Sequence, residues 1–192
     1  MALTRLGLNQ AINLSTNTTG NLNLASQVTG TLATGNGGTG ATSFTAGITM
    51  ADTWRLTTDF SGAADPISSN LEQNDDASFE DIGTPMSVSS GIFTFPETGK
   101  YYITATFQTY NPTSQTSCDI QYTVNNSSYS TGANCRSMVA ATSYNAISTS
   151  MIFDVTSTTN CKVKFVTGSG GTIMGNSGYN GTHFQFIRIG DT

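Results

Sequence analysis

Residues 91–102 have the sequence Gly-Ile-Phe-Thr-Phe-Pro-Glu-Thr-Gly-Lys-Tyr-Tyr, and this stretch indicates the fold more clearly than any other. Phe93 and Phe95 are two positions apart, as apolar side chains on one face of a half-buried strand are. Pro96 ends this strand, because proline cannot donate a hydrogen bond to a neighbouring strand. Gly99 restarts the chain into a second strand that runs to Tyr110, with one face made of Tyr101, Ile103, Ala105 and Phe107. Successive strands joined by a short turn predict an all-β domain.

The same period of two recurs through the rest of residues 51–192, which we treat as one domain. Strands are predicted around Trp54 and Leu56 and at residues 118–124, 146–155, 161–166 and 182–189. Clusters of Ser, Asn and Gly separate them at the intervals found in β-sandwiches and barrels. A domain of about 140 residues buries roughly two thirds of its unfolded surface, which is enough for a self-standing sandwich.

Two of these strands carry apolar side chains on both faces. In the last strand Phe184 and Phe186 lie on one face and Ile187 on the other, while Tyr102 lies opposite Ile103 in an earlier strand. A strand of a monomeric sandwich normally has one polar face in water. We therefore expect a second chain to cover the extra apolar side chains, with an interface formed by Tyr102, Phe184, Phe186 and Ile187.

The motif Gly91-x-Phe93-x-x-Pro96-x-x-Gly99-x-Tyr101-Tyr102 resembles the signature of the trimeric jelly-roll heads of the complement globular-head and tumour necrosis factor superfamily. The terminal Phe-rich segment, residues 181–187, is similar to the closing strand of that family. One departure is that Phe79-Glu-Asp-Ile-Gly83 stands where the family has an aromatic and Asn-rich strand, so the edge of the first sheet stays open. The resemblance implies a jelly roll, a compact homotrimer and binding rather than catalysis.

Residues 1–50 differ from this domain, since their only charged side chain is Arg5. Residues 28–42, Val-Thr-Gly-Thr-Leu-Ala-Thr-Gly-Asn-Gly-Gly-Thr-Gly-Ala-Thr, resemble stretches that precede the distal domains of bacteriophage tail-fibre and virion-appendage proteins. Leu22 and Leu32 are among the few apolar side chains here, and three chains could bury them along a shared axis. We expect a trimeric, particle-attachment stem; the alternative is a disordered linker.

Composition narrows the possible partners and location. The 192 residues are only 10% charged, with a formal net charge of -5. Without a basic patch, nucleic-acid binding is not expected. Residues 1–10 do not have the pattern of a secretory signal, and no apolar run approaches the roughly 18 residues that cross a bilayer. The expected location is therefore a virion assembled in a host cytoplasm.

No residue pattern predicts catalysis or a bound cofactor. Residues 35–40 match G-x-G-x-x-G, but they lack the flanking strand and helix that a dinucleotide site needs. His183, the single histidine, lies among aromatic residues in a predicted strand. Cys118 and Cys161 follow the apolar alternation and are expected to be buried, while a bridge between Cys118 and Cys135 stays open.

Two loop features could bind ligands. The acidic segment 71–81 supplies Asp75, Asp76, Glu80 and Asp81 as candidate calcium ligands, although a solvated loop explains the same residues. The predicted loops 125–134 and 168–181 contain Tyr129 and Tyr179 among small polar residues, a composition typical of recognition surfaces. We take both tyrosines as candidate receptor-binding residues.

These features predict a homotrimeric phage fibre or receptor-binding appendage that attaches to a host-surface glycan or protein. Its N-terminal stem would contact tail or capsid proteins. One alternative is a capsid decoration or head-fibre trimer, because the stem is short. Another is a soluble bacterial lectin-like jelly roll with a disordered leader. A hydrolase acting through His183 is a third class.

Overall fold

The computed structural model describes residues 47–74, 76–110, 116–137, 142–168 and 170–192. Most of the predicted stem, with Leu22 and Leu32, and the calcium candidate Asp75 therefore lie outside the described residues. Within them there is no helix long and apolar enough to cross a bilayer. The described elements are all strands: β1 (Ala51–Leu56), β2 (Phe60–Ser61), β3 (Leu71–Gln73), β4 (Ser87–Ser89), β5 (Ile92–Thr94), β6 (Gly99–Tyr110), β7 (Thr116–Thr123), β8 (Ser130–Ser137), β9 (Tyr144–Val155), β10 (Lys162–Thr167), β11 (Thr172–Ile173) and β12 (His183–Gly190).

The strands form two antiparallel sheets packed face to face. Sheet A has the order β2-β11-β6-β12-β1-β3, with β9 paired along the whole of the other edge of β6. Sheet B has the order β4-β5-β10-β7-β8. Strands that follow one another in the chain, such as β5 and β6, lie in different sheets. The all-β prediction is confirmed, and the topology is that of a jelly roll.

An aromatic cluster joins the two sheets. The ring of Phe93 in sheet B lies 5.5 Å from Trp54 and 5.3 Å from Phe186, both in sheet A. Phe165 of sheet B stacks on Phe184 of sheet A, with 3.7 Å between ring centroids and 4° between ring planes. Buried aromatic pairs of this kind stabilise a core beyond the area that they remove from water.

The prediction that Phe184 and Phe186 belong to an intermolecular interface is wrong. Both side chains are fully buried in the core of their own chain. Both faces of β12 carry apolar residues, so its sequence pattern does not identify the core-facing one. The predicted inner face of β6, from Tyr101 to Phe107, is confirmed, as is the burial of Cys118 and Cys161.

The turn after β5 carries the chain from sheet B to sheet A. Gly99 adopts a φ of 146° there, and a Cβ at this position would approach the Gly190 carbonyl oxygen to 2.7 Å. Tyr101 extends this connection, because its hydroxyl donates a hydrogen bond to the Glu97 carbonyl oxygen at 2.9 Å. The close approach of β12 explains why glycine, and not only a turn-forming residue, stands at position 99.

Two sequence predictions about edges are corrected by the sheets. The segment 125–134 is not a continuous loop, because β8 begins at Ser130 and forms the edge of sheet B. Its polar residues gave no alternating signal. The sequence does not define the edge strand of sheet A, and in the structure this strand is β3, which pairs with β1. Phe79 lies in the exposed loop that follows β3.

Asp52 is a buried carboxyl beneath the rim of sheet A. Its Oδ2 accepts hydrogen bonds from Trp54 Nε1 and from the Met86 backbone N–H, both at 2.8 Å. Its Oδ1 has no hydrogen-bond partner among the described residues. Desolvation by burial raises the pKa of Asp52, and the neighbouring Asp81 adds to the rise, although the two hydrogen bonds oppose it. Burial therefore stabilises the protonated form of Asp52 relative to a solvent-exposed aspartate.

We expect Phe184→Ala to lower the free energy of unfolding by about 3–5 kcal/mol, because it leaves a cavity between the sheets. Urea denaturation at a fixed protein concentration measures the loss. If the variant kept its stability but dissociated into folded single chains, the result would show that Phe184 belongs to an intermolecular interface.

We expect Asp52→Asn to gain stability relative to the parent protein as the pH rises. The raised pKa of Asp52 means that its stabilising protonated form is fully present below about 3.8 and is lost as pH passes the higher native value. The asparagine oxygen can still accept both hydrogen bonds and carries no charge. Urea midpoints from pH 3.5 to pH 7.5 test this, and a difference between the two proteins that stays constant with pH would contradict it.

Candidate functional site

The outer face of sheet A, which points away from the core, has an apolar row across four strands. Register places Ala51 of β1 opposite Ile187 of β12, Ile187 opposite Tyr102 of β6, and Tyr102 opposite Ile152 of β9. We call these four residues the outer apolar row. Ile152 is 65% exposed and Tyr102 38% exposed. Cross-strand neighbours on one face touch one another, so the row is a continuous apolar surface.

The remainder of this face is mostly polar. Thr104 donates a hydrogen bond to Gln185 at 3.2 Å, and the hydroxyls of Thr106 and Ser148 lie 2.9 Å apart. At the far end, the rings of Tyr110 and Tyr144 pack with their centroids 4.5 Å apart. Apolar side chains are thus concentrated at the two ends of β6. The predicted interface residues Tyr102 and Ile187 face outward from the protomer, as an interface requires.

A cleft lies on the same face of sheet A, next to β3. It has a volume of about 240 Å³ and is lined by Arg55, Asn74, Asp76, Phe79, Gly178, Tyr179 and Asn180. On β1, Arg55 lies two positions after Thr53 and four positions after Ala51, which belongs to the outer apolar row. The rise of a strand, about 3.3 Å per residue, puts roughly 13 Å between Arg55 and that row.

Arg55 and Asn74 form the floor of the cleft. Arg55 is 6% exposed, and its Nε donates to Glu72 Oε2 at 2.8 Å while Nη1 donates to Asn74 Oδ1 at 3.2 Å. Burial of a guanidinium is tolerated because these acceptors replace water. Asn74, 5% exposed, also donates from Nδ2 to Asn180 Oδ1 at 3.3 Å. The Asn74 amide thereby connects the two loops that flank the cleft.

Phe79 and Tyr179 form the walls, one from each loop. Their side chains are 59% and 56% exposed. The Phe79 loop is held by Asp76, whose carbonyl oxygen accepts the Phe79 N–H at 2.8 Å and whose Oδ1 accepts the Ser78 N–H at 2.9 Å. The Tyr179 loop is held by Asn176 Oδ1, which accepts the Gly178 N–H at 2.7 Å. Short local hydrogen bonds therefore hold the backbone of both loops that carry the rings.

The structure separates the two tyrosines that the sequence grouped as receptor-binding candidates. Tyr179 lines the cleft on sheet A. Tyr129 instead packs beside sheet B, where Lys164 Nζ lies 4.6 Å from its ring centroid. Partial burial raises the pKa of the Tyr129 hydroxyl. A single ligand-binding site of ordinary size does not include both residues.

The calcium prediction receives no support from the residues that can be placed. In the described part of the chain no three His, Cys, Asp or Glu side chains come together as a metal site. Asp76 borders the cleft, while Glu80 and Asp81 are exposed in the following loop. His183 lies on the outer face beside Arg55 in register, with its Nδ1 3.2 Å from the Gly181 carbonyl oxygen.

Sequence reasoning missed most of the cleft. Arg55 and Asn74 are single polar residues with no motif around them, Asn180 belongs to an Asn-Gly-Thr triplet that does not indicate a cleft, and Phe79 is notable only as a departure from a family pattern. The one available signal was the pair of segments 71–81 and 168–181, each rich in polar residues around an aromatic ring. Nothing in the sequence shows that these segments, about a hundred residues apart, meet on one face.

Comparison with solved structures identifies the fold. The structure resembles Eiger TNF from S. frugiperda with a TM-score of 0.60 and 10% identity, over 76% of this chain and 95% of that one. It resembles murine APRIL with a TM-score of 0.56 and 10% identity, over 73% of this chain and 98% of that one. The globular domain of zebrafish complement 1qA protein matches with a TM-score of 0.52 and 12% identity, over 74% and 99% of the two chains.

These likenesses confirm the predicted jelly-roll fold of the tumour necrosis factor and complement globular-head type. No protein-family model matches the chain. No curated protein matches it by sequence. At identities of 10–12% the likeness establishes the fold alone.

Proposed function

We propose that this chain is a structural protein of a bacteriophage virion, a homotrimeric fibre or receptor-binding appendage that mediates attachment to the host surface. Residues 1–50 form its stem and particle-attachment segment, and residues 51–192 its head. Two observations support this proposal together: the likeness of residues 28–42 to virion-appendage sequences, and a head with the fold of tumour necrosis factor-like proteins.

The outer apolar row is the observation that carries the assembly. Ile152, Tyr102 and Ile187 lie side by side on an open sheet face, and their exposure to water is unfavourable. A second and third copy of the chain, arranged around an axis, would cover the outer apolar row of each copy and leave the Arg55 end of the face open. In a threefold ring the contacts run head to tail, so the row of each copy packs against a different surface of the next copy, and closure of the ring prevents a filament.

Attachment to the host surface would depend on the number of heads in one appendage and on the side chains that the loops of each head expose. Three heads on one stem bring three weak sites to the same host surface, and the resulting avidity exceeds the affinity of each site. The partners of the head are therefore expected to be repeated surface groups such as glycans. The stem is expected to contact tail or capsid proteins of the particle.

The trimer is tested by the variant Ile152→Glu. An unpaired carboxylate in a desolvated interface is costly, while Ile152 is too exposed for this change to disturb the core. Size-exclusion chromatography with light scattering should give three times 20.1 kDa for the parent and a folded chain of 20.1 kDa for the variant. Val124→Glu, at an exposed apolar position after β7, is the matched control and should leave the trimer intact. A parent protein that is monomeric, or an Ile152→Glu variant that remains trimeric, would contradict the proposed interface.

The role on the particle is tested by electron microscopy with an antibody against the head. Label at the tips of tail appendages, together with competition between purified trimer and phage for adsorption to host cells, is the expected result. Label spread over the capsid shell would favour a decoration or head-fibre trimer. Particles without label would favour a soluble lectin-like protein and overturn the proposal.

A further inference from the structure

We propose that the cleft between Phe79 and Tyr179 is a binding site for one neutral sugar ring of a surface glycan. This inference rests on the proposed function, because it names the ligand class and the residues by which each head would recognise a host surface. It is carried by the shape, the polar groups and the charge of the cleft.

The walls of the cleft favour a ring with a flat C–H face. Phe79 and Tyr179 are both more than half exposed, although large aromatic side chains usually bury most of their surface. The π face of an aromatic ring carries partial negative charge and attracts the weakly positive C–H groups of a pyranose. Two rings from separate loops, at the borders of one cleft, can contact such a ligand from two directions.

The floor of the cleft favours hydroxyl groups. Arg55 and Asn74 already bond to Glu72, to each other and to Asn180. Beside them, Asp76 offers a carboxylate that accepts hydrogen bonds, and the Asn180 side chain offers amide N–H groups that donate them. Sugar hydroxyls donate and accept at the same time, so they match a mixed set of this kind. An alkylammonium ligand would use the Asp76 carboxylate alone and leave the Asn180 amide donors facing it.

The charged side chains around the cleft disfavour the binding of acidic ligands. The positive charge of Arg55 is already paired with Glu72 at 2.8 Å, and Asp76 adds a further negative charge at the border. A sugar acid or a phosphate would bring another negative charge next to two carboxylates. The site therefore selects a neutral hexose or N-acetylhexosamine over a sialic acid or a phosphosugar.

The size and rigidity of the cleft limit the ligand to about one ring. Its volume of about 240 Å³ is smaller than the roughly 300–1,000 Å³ of sites that enclose drug-sized molecules. The Asn74–Asn180 hydrogen bond and the turns at Asp76 and Asn176 hold the two loops in place before binding. Such preorganisation reduces the entropy lost on binding.

The experiment uses the full-length trimer and a panel of small probes. Methyl glycosides of glucose, galactose and mannose and free N-acetylglucosamine represent neutral sugars. N-acetylneuraminic acid and tetramethylammonium represent acidic and cationic ligands. Saturation-transfer NMR identifies binders, and titration followed by NMR or calorimetry gives the dissociation constants.

At least one neutral sugar should bind, and the acidic and cationic probes should bind more weakly or not at all. Tyr179→Ala and Phe79→Ala should each weaken binding about tenfold, which is the effect of losing one aromatic contact. Tyr129→Ala, on the other sheet, is the matched control and should bind as the parent does. All three variants should remain trimeric by light scattering.

Several outcomes would overturn the inference. They are the absence of neutral-sugar binding, a preference for the charged probes, and unchanged affinity in both cleft variants. Dissociation of the trimer by Tyr179→Ala would also overturn it, because the cleft would then lie within the interface between copies. Failure of the two proposals can be told apart: sugar binding without competition for phage adsorption contradicts the attachment role alone, whereas competition that survives both cleft variants contradicts the sugar site alone.

Discussion

The stacked rings of Phe165 and Phe184, with Phe93 beside them, hold the two sheets of this protein together. Phe93 and Phe165 come from two strands of sheet B and Phe184 from sheet A, so their packing helps to set the distance between the sheets. The order of the strands then places every connecting loop at an end or an edge of the sandwich. The cleft exists because β1, β3 and the segment before β12 are brought to one edge of sheet A by this arrangement.

Sheet A carries apolar side chains on both of its faces, and each face needs a surface packed against it that shields these side chains from water. Sheet B and the aromatic cluster cover the inner face of sheet A. The outer apolar row stays uncovered in a single chain, and this is the physical reason for proposing a trimer.

The outer face of sheet A combines two different kinds of surface. Near one end of β6 it is apolar and continuous, which suits a permanent contact between copies. Around Arg55 it is concave and mixed in polarity, with aromatic rings at its border, which suits a small polar ligand. Thr104 and Gln185 lie between these two surfaces, and Thr106 and Ser148 lie in register with Arg55; both pairs satisfy hydrogen bonds across neighbouring strands. The surfaces proposed for assembly and for recognition therefore lie on separate parts of one sheet.

The sequence by itself determined the fold class, most of the long strands and the inner face of β6, because alternation with a period of two follows directly from strand geometry. It also identified Tyr102 and Ile187 as outward apolar residues and Tyr179 as a recognition candidate. It could not decide which face of β12 enters the core, since Phe184 and Ile187 are both apolar. It missed the polar edge strand β8, which is held by backbone hydrogen bonds that leave no mark on side-chain pattern. Only the tertiary structure decided that Arg55, Asn74, Phe79 and Tyr179 meet in one cleft, because contacts between residues so far apart in the chain depend on how the two sheets pack and not on any local preference.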